Sequence, residues 1–365
     1  MEKAQSISKE QTFTWFFLII YGNNIYNFVW IADITDRAGW VLLGVSLAII
    51  FPLILWTFRL TGTKSGTTVF EIIGKPFGPF VKKLFLSLYL VINIIPAVLM
   101  LNMFAGAINV FMLKKTPSWA IILFLIIIGF LFVKSGIIPM SRMLQLLMLM
   151  GLLNYLFTFG LGLPEFEIDN IWPILDASVS ELSEGTLFAV GICSELLLPV
   201  FLLTELFPEP ARYRKSATRG YWTGGFVLMF CIVLEIGMIN IKVLENMSFA
   251  GISAARIIEI GDFIRGLEVL ILMTYQFLCI YKVAMSLYCM KTAFVKIFTV
   301  KHENIFLMIS AVVVFCIAVF LNSYNLAYIF SLYWGLYILL PFVLIVLSVS
   351  ALAKKISKIK ERSGI

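Results

Sequence analysis

Apolar stretches recur from one end of this chain to the other, and short polar or charged stretches separate them. Each apolar stretch is about 20 residues long, the length that a helix needs to cross the hydrocarbon core of a bilayer. The pattern therefore predicts an all-α membrane protein with about ten transmembrane helices. The predicted spans are 12–32, 40–59, 81–112, 117–134, 138–163, 186–207, 219–242, 266–291, 303–321 and 327–352.

The composition agrees with a chain that is surrounded mainly by lipid. Of its 365 residues, 61% are hydrophobic and 13% are charged, whereas soluble domains carry about 25% charged residues. The polar segment 1–10 precedes a span that is too long and too polar to be a cleaved signal peptide. We expect a single integral membrane domain over residues 1–365.

Enzyme chemistry has few residues to use in this sequence. The single histidine, His302, lies in a basic loop, which argues against a histidine-based metal site or catalytic triad. Motifs of phosphate-binding loops, nucleophile elbows and zinc proteases are absent. We predict no enzyme activity, no catalytic residue, no metal site and no cofactor. The cysteines lie in apolar segments without a C-x-x-C pair and are expected to be buried thiols. They are Cys193, Cys231, Cys279, Cys289 and Cys316.

The basic residues predict the orientation of the chain. With ten spans, both termini lie on one side of the membrane, and placing them in the cytoplasm puts 22 of the 28 Lys and Arg residues there. This asymmetry follows the positive-inside rule. Contact with anionic headgroups then accounts for the net charge of +7, so a nucleic-acid partner is not required. Residues 164–185 hold six acids and no Lys or Arg, and we expect them to form an outer loop.

Polar residues interrupt the first and the sixth span. Gly and Asn loosen a helix, and a carboxylate within a span is a functional candidate because it is costly there. The two spans hold equivalent places in two five-helix halves, about 11–163 and 186–352. This pattern favours an inverted-repeat transporter that binds a solute between its interrupted helices. The predicted ligand-binding residues in these spans are Gly22, Asn23, Asn24, Tyr26, Asn27, Gly191, Cys193, Ser194 and Glu195.

The alternative for these residues is helix packing through small side chains and interhelical amide bonds. The same two interpretations apply to the polar residues of spans three and eight, which flank such a site. Asn93 and Asn102 lie on different faces of span three, and Tyr275 and Gln276 lie in the middle of span eight. We predict that Asn102, Tyr275 and Gln276 contribute to ligand binding.

Three further features have a less specific chemistry. Glu235 in span seven is expected either to pair with a basic residue or to hold a proton within the membrane. Lys282 is expected near the inner end of span eight, with its amine extended to the interface. Residues 246–265 have the pattern of an amphipathic helix on the outer surface. That helix is either a lid over an entrance or a loop helix that caps the bundle.

Short motifs follow one another along nearly the whole chain. They are ISKEQTF at 7–13, AGW at 38–40, TTVFEIIGKPFG at 67–78, KTPSW at 115–119, SRM at 141–143, WPILDAS at 172–178 and SFAGISAARIIEIGDFIRGLE at 248–268. In this order and spacing they resemble the permease-like B subunits of spore nutrient-germinant receptors, which belong to the amino acid/polyamine/organocation transporter superfamily. The segment 67–78 is similar to the inner re-entry segment of that family, and Glu195 matches an acid that is common in its sixth span.

The chain departs from the family in two places. Relatives carry Gly-x-Gly followed by Pro in span one, where this chain has Gly-Asn-Asn at 22–24 and Val29 near the Pro position. Relatives also carry a Glu-Arg pair where this chain has Arg-Gly at 265–266, before the retained Glu268. The first departure implies a changed ligand preference or a site that no longer binds.

The resemblance implies a LeuT-like fold, with ten helices in two inverted five-helix repeats and with helices 1 and 6 broken. It also implies a location in the spore inner membrane and a nutrient, such as an amino acid, that is sensed. The implied partners are a larger A-type membrane subunit and a lipoprotein C-type subunit. Three functions remain open: a receptor subunit, a proton-coupled amino acid transporter that uses Glu195 or Glu235, and a scaffold that binds no nutrient.

Overall fold

A computed structural model describes residues 7–23, 34–62, 66–207, 209–244, 247, 249–259, 265–298 and 303–363. Within these residues, every regular element is a helix. The long helices are α1 (Lys9–Asn23), α2 (Gly39–Thr61), α3 (Val69–Phe111), α4 (Ser118–Lys134), α5 (Ile137–Leu161), α6 (Val179–Leu206), α7 (Pro210–Met238), α8 (Glu268–Phe298), α9 (Glu303–Leu321) and α10 (324–363). Helix α10 consists of Tyr324–Tyr333, a π-helix at Trp334–Leu339, and Leu340–Ser363.

These helices follow the predicted spans in order. In the described part of the chain, 8 helices are long and apolar enough to cross a membrane. Helix α4 is an apolar helix of 17 residues, and α1 has 15 residues up to Asn23, where the described segment ends. The prediction of an all-α membrane protein is confirmed.

Helix α3 is made of two pieces that meet at Gly78. The φ angle of Gly78 is 87°, in the left-handed region that glycine adopts most readily. The first piece begins after Thr68, whose side chain accepts a hydrogen bond of 3.2 Å from the backbone N–H of Glu71. A separate short helical segment therefore precedes the long part of α3, at the place of the expected re-entry segment 67–78.

Helix α6 begins at Val179, earlier than the start at 186 that hydropathy predicts. Ser178 and Glu181 form a reciprocal capping box: Ser178 N donates to Glu181 Oε2 at 2.7 Å, and Glu181 N donates to Ser178 Oγ at 3.3 Å. Such a box fixes a helix start even in a polar sequence. The loop before α6 is accordingly shorter than the predicted 164–185.

The helices differ in how much of their apolar surface the protein covers. In the apolar window of α6, 83% of the residues are buried, compared with 28% in α5 and 28% in α9. Helices α6 and α8 therefore lie in the centre, and α5 and α9 present side chains such as Leu149 and Leu153 to the lipid. Ser194 and Glu195 of α6 are buried within the bundle, and enclosure by protein is what allows polar groups within a membrane.

Helices α1 and α7 pack together through their backbones. A Cβ atom added to Gly220 would collide with the carbonyl oxygen of Phe13, and one added to Gly224 would lie 2.7 Å from the carbonyl oxygen of Phe17. Small residues four positions apart allow this close approach in membrane proteins. The two helices therefore pack backbone against backbone from Phe13 to Phe17 of α1.

A short helix, Ala250–Ile257, packs on α7 and α8 at the end of the bundle opposite the start of α1. Its buried face includes Ile252 and Ala255, and Arg256 is exposed. The helix has the amphipathic character expected for 246–265. Residues 246, 248 and 260–264 of that segment lie outside the described part. It covers the ends of α7 and α8.

Candidate functional site

Helix α6 changes its hydrogen-bonding pattern near its middle. The α-helix Val179–Cys193 passes into a 3-10 turn at Ser194–Leu196 and returns to an α-helix at Leu197–Leu203. The backbone angles stay in the right-handed helical region, so the helix is tightened rather than unwound. The hydroxyl of Ser194 donates to the carbonyl oxygen of Gly191 at 2.6 Å. The interruption predicted in span six thus takes the form of one tight turn.

Helix α10 has an irregular turn of its own where it contacts α6. It includes a π-helical segment at Trp334–Leu339. Such segments occur mostly as single turns within α-helices and are frequent at functional sites. A Cβ atom on Gly191 would lie 2.6 Å from the backbone nitrogen of Leu336, and one on Gly335 would lie 2.8 Å from the carbonyl carbon of Gly191. Gly191 therefore brings the backbones of α6 and α10 into direct contact beside the 3-10 turn.

The carboxylate of Glu195 forms an ion pair with the ammonium group of Lys282 inside the bundle. Lys282 Nζ lies 2.9 Å from Oε1 and 3.2 Å from Oε2 of Glu195. Glu195 is 9% exposed and Lys282 is 7% exposed. Lys282 stands in the middle of α8, so the expectation that its amine reaches the membrane interface is wrong. Its ammonium group is neutralised within the protein, where Glu195 takes the place of interfacial water.

Each charge of this pair depends on the other for its stability within the membrane. Removing one partner of a buried ion pair costs about 3–5 kcal/mol, because the remaining charge is left unpaired. Replacing both partners by apolar residues is often neutral or stabilising. The pair is therefore a costly arrangement if its role is structural, and intramembrane ionisable residues are functional candidates for that reason.

Two small cavities have both Glu195 and Lys282 in their walls. Each has room for about one water molecule. The first cavity lies between α3, α6, α8 and α10, and its wall includes Met100, Ile192 and Trp334. Among the described residues, the buried indole N–H of Trp334 has no hydrogen-bond acceptor.

The second cavity lies between α1, α3, α6 and α8. Its wall includes Ile19 of α1, Asn93 of α3 and Ser286 of α8. The amide of Asn93 donates to the carbonyl oxygen of Tyr89 at 2.8 Å. The ion pair thus lies where five helices meet. In this conformation the cavities beside it are too small for anything much larger than a water molecule.

The predicted residues of α1 are described only in part. A Cβ atom on Gly22 would lie 3.2 Å from the ring of Tyr281, so Gly22 allows α1 to pack closely on α8. The described part of α1 ends at Asn23, whose side chain is not described. Asn24, Tyr26 and Asn27 lie outside the described residues.

The other predicted residues fall into two groups. Asn102 donates to the carbonyl oxygens of Val98 at 3.0 Å and Ala318 at 3.1 Å, and so joins α3 to α9. Cys193 is buried and Gln276 is half-buried. Neither residue is among the described residues that line the two cavities. Ligand contact by these residues stays a prediction.

Tyr275 belongs to a second polar cluster, near the short helix Ala250–Ile257. The hydroxyl of Tyr155 donates to Glu235 Oε1 at 2.9 Å, and the ion pairs of the described residues do not include Glu235. A Cβ atom on Gly251 would meet both the hydroxyl of Tyr275 and, at 2.6 Å, the carboxylate of Glu235. Glu235 was expected either to pair with a basic residue or to hold a proton. A basic partner is not found in the described part of the chain, and the proton-holding role stays a prediction.

A comparison with protein-family models identifies the relationship that the motifs suggested. Residues 6–327 match the model of a family described as spore germination protein, which is most of the chain. The chain belongs to the spore germination protein family. Members of this family are permease-type membrane proteins, and the chain is accordingly an integral membrane protein and not an enzyme.

Two known proteins are similar to this chain, one in sequence and one in fold. Spore germination protein YndE of Bacillus subtilis (strain 168) is 26% identical over 234 residues, which cover 62% of this chain and 62% of that relative. A solved structure of a Na⁺-coupled sialic acid symporter, in a substrate-bound outward-open state, has a TM-score of 0.66 at 9% identity. That match covers 97% of this chain and 90% of the symporter, and it confirms the LeuT-like fold.

Lys282, Asn93 and Trp334 were not among the predicted site residues. A signal for Lys282 was present, because it is a basic residue with apolar neighbours on both sides in α8, 87 positions from Glu195. Trp334 gave no signal, since an aromatic residue in an apolar span is ordinarily a packing residue. Its position in the cavity wall depends on the π-helical turn, which hydropathy does not reveal.

Proposed function

We propose that this chain is the nutrient-sensing membrane subunit of a spore germinant receptor. In this proposal it resides in the inner membrane of the spore with both termini in the cytoplasm. It acts through an A-type membrane subunit and a lipoprotein C-type subunit. Membership of the spore germination family supports this role, as does a fold that it shares with a solute symporter.

The observation that carries the proposal is the buried ion pair between Glu195 and Lys282. It lies where the tight turn of α6 meets the π-helical turn of α10, and both small cavities adjoin it. We propose that the nutrient binds here, between the two five-helix repeats at about 11–163 and 186–352. The predicted residues Gly22, Asn23, Asn24, Tyr26 and Asn27 of span one then supply the facing wall.

The pair favours a zwitterionic ligand such as an amino acid. The ammonium group of a zwitterion can pair with Glu195 while its carboxylate pairs with Lys282, so every buried charge keeps a partner. A ligand with a single charge leaves one charge unpaired, which costs about 3–5 kcal/mol. The indole N–H of Trp334 offers a further donor to the ligand carboxylate.

Binding must change the conformation, because the cavities beside the pair each hold about one water molecule. A zwitterion that separates Glu195 from Lys282 also separates α6 from α8. Moving a two-state equilibrium from about 1% to about 99% requires about 5.5 kcal/mol of preference for one state. Such a preference can arise when the ion pair between Glu195 and Lys282 is replaced by two ion pairs with the ligand. The partner subunits would then respond to the movement of the helices.

A proton-coupled amino acid transporter is the alternative function. It is favoured by the fold shared with a symporter and by Glu235, a buried carboxylate without a basic partner among the described residues. Purified protein in liposomes tests it directly. Uptake of labelled amino acid by this chain alone, driven by a pH gradient, supports the transporter, and its absence at full reconstitution supports the receptor.

The receptor proposal is tested with spores whose germinant receptor contains this chain as its only B subunit. The loss of refractility is measured with a panel of amino acids, sugars and nucleosides. We expect Glu195→Gln and Lys282→Met each to abolish the response and to lower the protein level, because each leaves a buried charge unpaired. The double variant Glu195→Gln/Lys282→Met should have a normal protein level and still give no response. A double variant with normal level and an unchanged nutrient profile shows that the pair is structural and contradicts the proposed site.

Span one has its own test in the same spores. Asn24→Gly restores the small residue that relatives carry in that span. We expect a changed nutrient profile at an unchanged protein level if span one contacts the ligand. An identical profile shows that span one is not part of the proposed site. The role of the Glu195–Lys282 pair is then decided by the variants of that pair.

A further inference from the structure

A cleft of about 500 Å³ opens between α1, α5 and α7, at the end of the bundle where α1 begins. Its wall has four basic side chains and one acidic side chain. The lining residues include Lys9, Glu10, Phe13, Met148, Lys215 and Arg219. The cleft is separate from the Glu195 site, which lies in the middle of the bundle.

The positive charges of the cleft are largely uncompensated. Arg212, which also lines the cleft, pairs with Glu209 at 2.7 Å, but Lys9, Lys215 and Arg219 take part in none of the ion pairs of the described residues. The hydroxyl of Ser8 donates to the carboxylate of Glu10 at 2.7 Å, so this acid already has a local partner. Three cationic side chains are therefore available to one anion.

The same cleft has an apolar wall. Phe13 of α1 and Met148 of α5 are half-buried in it. The residues that follow Met148, Leu149 and Met150, are 52% and 50% exposed on the surface of α5, which faces the hydrocarbon. Cationic side chains beside such a surface fit a phosphate group that carries acyl chains, and basic pockets between helices bind anionic headgroups in this way.

We propose that this cleft is a binding site for a phosphate-bearing anion, with an anionic phospholipid as its occupant. The phosphate pairs with Lys9, Lys215 and Arg219, and the acyl chains follow Met148 along α5. No bond is formed or broken. The positive charges contributed by α1 and α7 then have a common counterion at one end of the closely packed helix pair.

Occupancy has a mechanical consequence for α1. The hydroxyl of Ser216 donates to the carbonyl oxygen of Lys9, and Gly220 and Gly224 hold α1 against α7 just below the cleft. A phosphate bound to both helices reduces the repulsion between Lys9 and Arg219 and stabilises that packing. Because α1 runs from this cleft to Asn23, lipid binding fixes the end of the helix that is remote from the proposed nutrient site.

The test uses the purified full-length protein in a neutral detergent. Binding of phosphatidylglycerol, phosphatidylcholine and inorganic phosphate is measured by native mass spectrometry and by the shift in the unfolding temperature. The cleft variant is Lys215→Gln/Arg219→Gln. The matched control is Arg214→Gln/Lys358→Gln, which removes two exposed positive charges at the same end of the bundle, outside the cleft.

We expect the wild type and the control to bind phosphatidylglycerol and to discriminate against phosphatidylcholine. The cleft variant should bind phosphatidylglycerol roughly 30-fold more weakly, since each basic residue near anionic headgroups contributes about a factor of five. A third result is that the wild type binds inorganic phosphate but shows no preference between the two lipids, and that the cleft variant loses the phosphate binding. In that case the cleft is a phosphate site whose ligand is free phosphate, and the phospholipid is excluded as its occupant.

Equal losses in the cleft variant and the control overturn the proposal, because they show general attraction to a basic surface. Unchanged lipid binding in the cleft variant also overturns it. Circular dichroism and size-exclusion profiles of each variant confirm folding before binding is measured. The nutrient response of spores does not enter this test, so its result is independent of the proposed function.

Discussion

Glu195 and Lys282 lie 87 positions apart in the sequence and meet inside the bundle. The sequence predicted Glu195 as a functional residue, because a carboxylate is costly to bury among apolar residues of a membrane span. It did not predict its partner, because pairing across helices depends on the rotation of each helix about its axis. A basic residue in the middle of a span is equally costly, and applying the same rule to α8 identifies Lys282.

The cost of the pair gives the first prediction. Glu195→Gln and Lys282→Met should each lower the free energy of unfolding by about 3–5 kcal/mol, because each leaves one buried charge alone. The combined variant should recover most of that loss, because it leaves no buried charge without a partner. Thermal unfolding in detergent measures all four proteins. Additive losses in the combined variant mean that the two side chains do not interact.

Glu235 gives a second prediction at this scale. Tyr155→Phe removes the hydroxyl that donates to Glu235 and should cost about 1–3 kcal/mol, because a buried carboxyl group loses its donor. Glu235→Gln should cost less, since the amide oxygen still accepts from Tyr155. The same unfolding assay compares the two variants. A larger loss for Glu235→Gln points to a charged partner among residues outside the described part.

The helices and their irregular turns were predicted unevenly. Hydropathy located the helices but set the start of α6 too late, because the capping box of Ser178 and Glu181 lies in a polar stretch with the composition of a loop. It placed an interruption in span six, where the structure has a 3-10 turn. The π-helical turn at Trp334–Leu339 has no hydropathy signal, since it arises where α10 packs against α6.

The packing of α1 on α7 gives the prediction at the scale of helices. Gly224→Val places side-chain atoms against the carbonyl oxygen of Phe17 and should separate α1 from α7. We expect low protein levels and a loss of about 1–3 kcal/mol or more, the usual cost of overpacking. Gly160→Val on α5 is the control, because a Cβ atom there meets no neighbour within 4 Å. Equal behaviour of the two variants contradicts the close packing.

At the scale of the whole molecule, composition and helix periodicity were sufficient for the fold class, and the family match and the symporter fold confirm it. Composition succeeds here because the lipid surroundings leave helical bundles and closed barrels as the possible spanning structures. The orientation depends on charge asymmetry alone. It stays a prediction, and so does the inverted symmetry of the two halves.

Cysteine labelling tests the orientation. In a background with Cys316→Ala, the remaining cysteines Cys193, Cys231, Cys279 and Cys289 are buried. Ser180→Cys and Lys358→Cys then introduce exposed thiols at opposite ends of the bundle. A membrane-impermeant maleimide added to intact cells should label the first and leave the second unlabelled until lysis. The reverse pattern places both termini outside.

The most direct test of the account is the charge selectivity of ligand binding to the purified protein. The best-binding standard L-amino acid is compared with its N-acetyl and amide derivatives, each of which lacks one charge. The account predicts that both derivatives bind about 100-fold or more weakly, because each leaves Glu195 or Lys282 without a partner. Equal affinity for the amino acid and either derivative would contradict an exchange of partners at this ion pair.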